Sequence, residues 1–417
     1  MKPVWIKNAA QLVTVAGENG PRVREGMSDL GLIEDGSVWM ENGEVVAIGT
    51  TSELEALYGS RAHEADIIDA TGRLVTPGLV DPHTHVAYGG SREREFEMRL
   101  EGATYMEIMN AGGGIHATTR MTRDASEEEL VAQTTRRLDS FLAHGVTTVE
   151  GKSGYGLDLE TELKQLRVMK RLNDQHPIDL VPTFMGGHAV PQEYKGREDE
   201  YINVLINEML PKVAEEKLAV FNDVFCEVGV FTPEQSERIL NAGKELGLIP
   251  KIHADEIESY GGAELAAKVG AISAEHLLKA STEGVRLMAE AGVIACLLPA
   301  TALYLREEAA KGRAMIDAGV AVAISTDCNP GSSPTTSMPL VMNLACISMR
   351  LTPAEALVAA TMNAACAIGM QDKVGSLEAG KQADVVMWNV SNYQELQYLF
   401  GVNHVGSVWK KGVQVVG

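Results

Sequence analysis

The chain is short of positive charge, of paired cysteines and of long apolar runs, and each shortage removes a class of function. Its 417 residues carry 36 Lys and Arg against 57 Asp and Glu, a formal net charge of -21. A nucleic-acid binder needs a basic footprint, and docking on anionic lipid needs basic clusters. Neither fits, so no nucleic-acid or membrane partner is expected. A small anionic substrate would need a local cationic pocket working against the global field. The five cysteines, at 226, 296, 328, 346 and 366, are odd in number and form no C-x-x-C pair. Scattered thiols of this kind predict reduced side chains and a cytoplasmic protein. Cys328 abuts Asp327 and is read as passive. No apolar run reaches the length that spans a bilayer. Met1-Lys2-Pro3-Val4-Trp5 opens mixed polar sequence without a signal-peptide core. Internal repeats and low-complexity tracts are missing too. So is a G-x-G-x-x-G after the first strand, which leaves an open doubly wound sheet as the weaker fold.

What is present is a globular composition, 45% apolar and 22% charged, in a chain long enough for one large domain and a smaller one. The N-terminal part reads as β structure. Two apolar runs flank Asn42-Gly43 between Gly36 and Gly49, a hairpin signal. The C-terminus repeats the pattern, with a strand over Ala383–Trp388 and a second hairpin over Gly406–Val416. Neither end has enough strands to bury a core, so the two are expected to pair into one small domain. The boundaries drawn are 1–73 plus 369–417 for that domain and 74–368 for the rest.

That middle alternates short β-branched runs with helical stretches. Eight strands are expected at Leu79-Val80, Val146–Val149, Leu180–Phe184, Val224–Val228, Leu248–Ile252, Ala271–Ser273, Val293–Leu298 and Val320–Ile324. Between them Thr232-Pro233-Glu234 and Ser281-Thr282-Glu283 open helices, and after the last Thr352-Pro353 opens another. The fold class is therefore α/β, a (β/α)8 barrel of the TIM type.

In such a barrel the chemistry gathers at the carboxyl ends of the strands. The first strand runs into His83-Thr84-His85, two histidines whose i, i+2 spacing puts both rings on one side of an extended backbone. The fifth ends in His253, the sixth in His276 and the eighth in Asp327. Neutral imidazoles with a carboxylate suit a divalent metal such as zinc or iron. The fourth strand offers no lysine to bridge a second metal, and Lys152 and Lys251 lie on other strands, which favours one ion per chain. His253-Ala254-Asp255-Glu256 adds a carboxylate expected one helical turn beyond the ligand, placed to move a proton. Its plainer fate would be a helix-start or surface acid.

These residues resemble the amidohydrolase superfamily. The likeness covers nearly the whole chain and includes Tyr88-Gly-Gly-Ser-Arg92, Gly112-Gly-Gly114, Lys152-Ser-Gly-Tyr155-Gly, Gly186-Gly-His188, Ser273-Ala-Glu-His276 and Thr326-Asp-Cys-Asn-Pro-Gly-Ser332. Glu275 stands where the pattern has Asp. The resemblance implies a composite β-sandwich beside the barrel, a homodimer, and hydrolysis of 4-imidazolone-5-propanoate to N-formimidoyl-L-glutamate in histidine degradation. It also implies that His83, His85, His253 and Asp327 hold zinc or iron. Arg92, Tyr155, His188, Glu256, His276, Asn329, Gly331 and Ser332 would then contact substrate or product. The planar fork of Arg92 suits a propionate. Glu256 is the expected proton carrier, His276 polarises the carbonyl, and Asp327 is the second candidate base. A purine or pyrimidine deaminase on the same barrel is the alternative activity, and a non-catalytic scaffold the alternative class.

Overall fold

The computed structural model describes residues 2–103, 107 and 112–417. Five strands form first: β1 (Val4–Val13), β2 (Leu32–Glu41), β3 (Glu44–Thr50), β4 (Asp66–Asp69) and β5 (Leu74–Pro77). The β2–β3 hairpin turns at Asn42 and Gly43, both at positive φ, 55° and 87°. That is the turn whose twist matches the flanking strands. β1 pairs antiparallel with β2 and parallel with β4 and β5, its two halves taking different partners.

The barrel follows. Its strands are β6 (Leu79–Thr84), β7 (Val146–Lys152), β8 (Asp179–Gly187), β9 (Phe221–Cys226), β10 (Ile249–Ala254), β11 (Ser273–His276), β12 (Ile294–Leu297) and β13 (Val322–Ile324). They pair parallel in chain order. β6 and β13 are joined at the rim, where Thr84 bridges Cys328 and the His85 amide donates to Cys328 O at 2.9 Å. All eight expected strands are present, with shifted ends. β9 starts at Phe221 rather than Val224, because the polar pair Asn222-Asp223 lies inside it, fully buried. β8 extends to Gly187, so His188 follows the strand directly.

Helices cover the outside, and their starts obey the capping signals. Thr232, Ser281 and Thr352 each accept a backbone amide at the helix start. Each such cap stabilises by about 1 kcal/mol. Among the described residues no helix is long and apolar enough to cross a membrane.

The last strands, β14 (Val385–Trp388), β15 (Val405–Lys410) and β16 (Val413–Val416), return to the first sheet. β14 pairs antiparallel with β5, so one continuous sheet runs β16-β15-β14-β5-β1-β2-β3 with β4 beside β1. It curls around a core of its own that includes Ile6, Leu12, Val38, Met40, Val75 and Trp409. Trp388 is fully buried on its other side, with Nε1 donating to Thr76 Oγ1 at 2.9 Å. Burying an aromatic of this size contributes roughly 1.5–3 kcal/mol. Only Gly78 separates β5 from β6, and a side chain there would overlap Thr147. Buried Lys410 ties the sheet to the barrel, with Nζ 2.7 Å from Asp179 and 2.5 Å from Asp384.

Candidate active site at the carboxyl end of the barrel

The strand ends converge on one point. His83 and His85 leave β6, His253 lies in β10, and Asp327 follows β13. His83 Nε2 is 3.4 Å and His85 Nε2 is 3.8 Å from Asp327 Oδ1, and His253 Nε2 is 3.4 Å from His85 Nε2. His83 Nε2 is buried with no hydrogen-bond partner among the described residues. A buried nitrogen lone pair left without a proton donor costs free energy unless something electron-poor meets it. Burial, before any other influence, holds the rings of His83 and His85 well below the usual imidazole range, so they stay neutral. Three imidazoles and one carboxylate oxygen facing each other fit a single divalent ion. The described residues also bring His83, His253 and His276 within ligand range of one another.

Buried carboxylates set the ring orientations. His83 Nδ1 lies 2.5 Å from Glu275 Oε2, and His253 Nδ1 lies 3.1 Å from Asp223 Oδ1. With Nδ1–H donated outward, Nε2 of each ring is the free acceptor. Each carboxylate has its own buried lysine. Lys152 Nζ is 2.8 Å from both Asp223 and Glu150, and Lys251 Nζ is 3.2 Å from Glu275. Burial alone would raise the Asp223 carboxyl, but Lys152 and His253 outweigh it and hold it well below its usual range. At Glu275 the same contest, won by Lys251 and Lys152, brings the carboxyl down to about 2. The glutamate found where the family pattern has aspartate thus reaches His83 directly. Asp327 is held on its other oxygen by Thr301 Oγ1 at 2.6 Å.

Above this floor opens a cavity of about 630 Å³. His85, His253 and Asp327 form its base, and Arg92, Tyr155, His188, Glu256, His276, Asn329, Gly331 and Ser332 line it; His83 lies buried beneath. Every residue expected to hold the metal or to touch the substrate therefore meets here. Tyr155 is almost fully buried, and burial keeps its phenol protonated as a donor. Its ring is 5.2 Å from that of His188. His188 Nδ1 donates to Gly154 O at 3.0 Å, and burial lowers the ring to about 3, so it is neutral. Gly154 sits at φ +101° with His188 packed on it, a position no other residue fills well. Asn329 Oδ1 accepts the amides of Gly331 and Ser332, both at 2.8 Å, closing the turn against the cavity.

Arg92 stands where Asn329-Pro-Gly331 meets the helix Glu93–Leu100. A Cβ on Gly331 would collide with the Arg92 guanidinium, so glycine lets that group lie flat on the turn. Nε and Nη2 of Arg92 both donate to Glu95 Oε2, at 3.0 and 2.7 Å. Glu95 Oε1 accepts the Gly114 amide at 3.0 Å. Arg99 lines the same cavity and donates to Gly331 O at 2.9 Å. Glu95 and Arg99 were not singled out in the sequence, where they look like members of a solvated charge run.

One local expectation fails. Glu256 is not one helical turn beyond His253, because residues 255–258 form a bend and the next helix starts at Gly262. Asp255 takes φ +50°, and its carboxylate accepts the amides of Tyr260, Gly261, Gly262 and Ala263 at 2.8–3.1 Å. The side chain consumes the amides that a continuing helix would have used. Glu256 still reaches the site, with Oε1 3.5 Å from His276 Nδ1. Burial, then the charges of Asp327 and Glu227, push its carboxyl up to about 8.

Comparison with known proteins agrees with this geometry. The family model described as "Amidohydrolase family" matches residues 74–415. An imidazolonepropionase from Brevibacillus brevis is 64% identical over 416 residues, covering 100% of this chain and 98% of the relative. One from Geobacillus kaustophilus is 63% identical over 417 residues, with the same coverage. Among solved structures, an adenosine deaminase from Xanthomonas campestris with bound zinc superposes with TM-score 0.72. It shares 21% identity, over 99% of this chain and 92% of that one, a likeness of fold. By its family model and by relatives of this identity over their whole length, the chain belongs to the amidohydrolase family, among the imidazolonepropionases.

Proposed function

We propose that the protein hydrolyses 4-imidazolone-5-propanoate to N-formimidoyl-L-glutamate, a step of histidine degradation. The observation that carries this reading is one cavity holding both a histidine-rich metal centre and the guanidinium of Arg92. A zinc or iron ion held by His83, His85, His253 and Asp327 would polarise the ring carbonyl and make a water more acidic. The protein's own groups do the rest. Arg92, fixed by Glu95, binds the propionate through the part of its fork that Glu95 leaves free. Tyr155 and His188 flank the ring. His276 meets the carbonyl oxygen as negative charge builds there. The water oxygen adds to the carbonyl carbon, the bond from that carbon to the ring nitrogen breaks, and the nitrogen leaves with a proton. Glu256, beside His276, takes the water's proton and returns it to that nitrogen. We also propose a reduced, cytoplasmic setting, supported by the five free cysteines, and a homodimer, supported by the family resemblance.

The test is turnover by the purified protein of imidazolonepropionate against guanine and cytosine, together with elemental analysis. Ring opening of the imidazolone alone, with one metal per chain, is expected. Preferred deamination of a nucleobase would replace the substrate assignment, and two metals per chain would overturn the mononuclear one.

A further inference from the structure

Strand β9 sends no ligand to the metal centre, yet it is followed by Glu227, a glutamate with no exposed surface at all. Its Oε2 accepts two consecutive backbone amides, Glu256 N at 3.0 Å and Ile257 N at 2.9 Å. Its Oε1 accepts Val228 N at 2.8 Å. The backbone of Glu227 is pinned in turn, its amide donating to Phe231 O at 3.1 Å and its carbonyl accepting from Val230 N at 3.0 Å. A buried carboxyl group is costly unless its lone pairs are met by donors. Here two of the three donors belong to the bend that carries Glu256.

That bend, residues 255–258, belongs to neither a helix nor a strand. Asp255 holds its far flank through the amides of residues 260–263, and Lys279 N donates to Asp255 O at 2.8 Å. Glu227 holds the near flank. The two grips leave the Glu256 side chain facing the cavity with Oε1 near His276 Nδ1.

We propose that Glu227 is a positioning residue for the hydrolysis, fixing the backbone of Glu256 so that its carboxyl stays beside His276. The proposal rests on the reading of Glu256 as the proton carrier. Proton transfer demands hydrogen-bond reach, and displacement of a reacting group by about 1 Å can cost on the order of 10²-fold in rate.

The experiment is a double-mutant cycle on the metal-loaded enzyme. Glu227→Ala, Glu227→Gln and Glu256→Gln are made singly, and each Glu227 change is combined with Glu256→Gln. Turnover of imidazolonepropionate and metal per chain are measured for all. Glu227→Ala should lower kcat by about 10–100-fold while KM moves less than about threefold, with metal per chain unchanged. Glu227→Gln keeps one acceptor toward the two amides and should lose less. In the Glu256→Gln background either change should alter kcat by less than about twofold, because the two residues act as one unit. A loss as large in that background as in the native one overturns the proposal alone, and so does a loss that tracks metal content. If Glu227→Ala does not fold, the Gln variant carries the same cycle. Near-normal kcat for Glu256→Gln by itself overturns the proton-carrier assignment, and the proposal with it.

Discussion

The floor of the site and its walls are built differently. The floor consists of strand residues, His83, His253, Asp223, Glu275, Lys152 and Lys251, none more than 2% exposed. Each of its two carboxylate-supported histidines leans on a carboxylate, and each carboxylate leans on a lysine. The walls come from loops and helix starts. Their side chains keep some access to solvent, 14% for Arg92 and 15% for Glu256. The difference teaches where tolerance lies. A preorganised floor holds its geometry whatever the substrate does, whereas the walls hang on a few contacts whose loss is felt in the reaction.

That contrast can be broken at three points. The largest effect is expected at Glu256, on the wall. Glu256→Gln keeps shape and most hydrogen bonding but carries no proton, so kcat should fall by about 10²–10⁴-fold with metal content intact. Steady-state kinetics beside elemental analysis decide it, and normal kcat would shift the proton role to Asp327 or His276. Next comes Arg92→Lys, which exchanges a planar fork for a point charge and abandons part of the Glu95 contact. KM should rise by about 10–150-fold, equivalent to about 1.5–3 kcal/mol of binding. An unchanged KM in a folded variant would place the propionate elsewhere. The smallest is Asp223→Asn on the floor. The fold should survive, but metal affinity should drop by about 10–100-fold in a chelator competition, because His253 loses its charged partner. Unaltered affinity would mean that the floor does not depend on this pair.

The same division governs what could be read from the sequence. The strands and their terminal histidines were legible, because β-branched runs end abruptly in His83, His85, His253, His276 and Asp327. The supports were not. Asp223 lies in the centre of β9, and a polar pair inside a strand reads as its boundary, which is why the strand seemed to begin at Val224. Lys152 and Lys251 were visible only as possible metal bridges, since nothing in spacing reveals that Lys152 meets Asp223, or Lys251 meets Glu275, on another strand. Glu256 was found for its distance from His253, though the bend that delivers it depends on Asp255 and Glu227. Those are interactions between segments, and a one-dimensional pattern does not contain them.

The pairing of β14 with β5 has a consequence for how the molecule is made. Trp388 and Thr76, bonded across that pair, are 312 residues apart in sequence. During synthesis β5 waits with an open edge until the whole barrel has emerged, and closing so long a loop is slow. The free edge of β5, with Leu74 and Val75 on it, is a template for another chain in the meantime. Refolding should accordingly be limited by the meeting of the two ends of the chain, with aggregation competing most strongly just before they join.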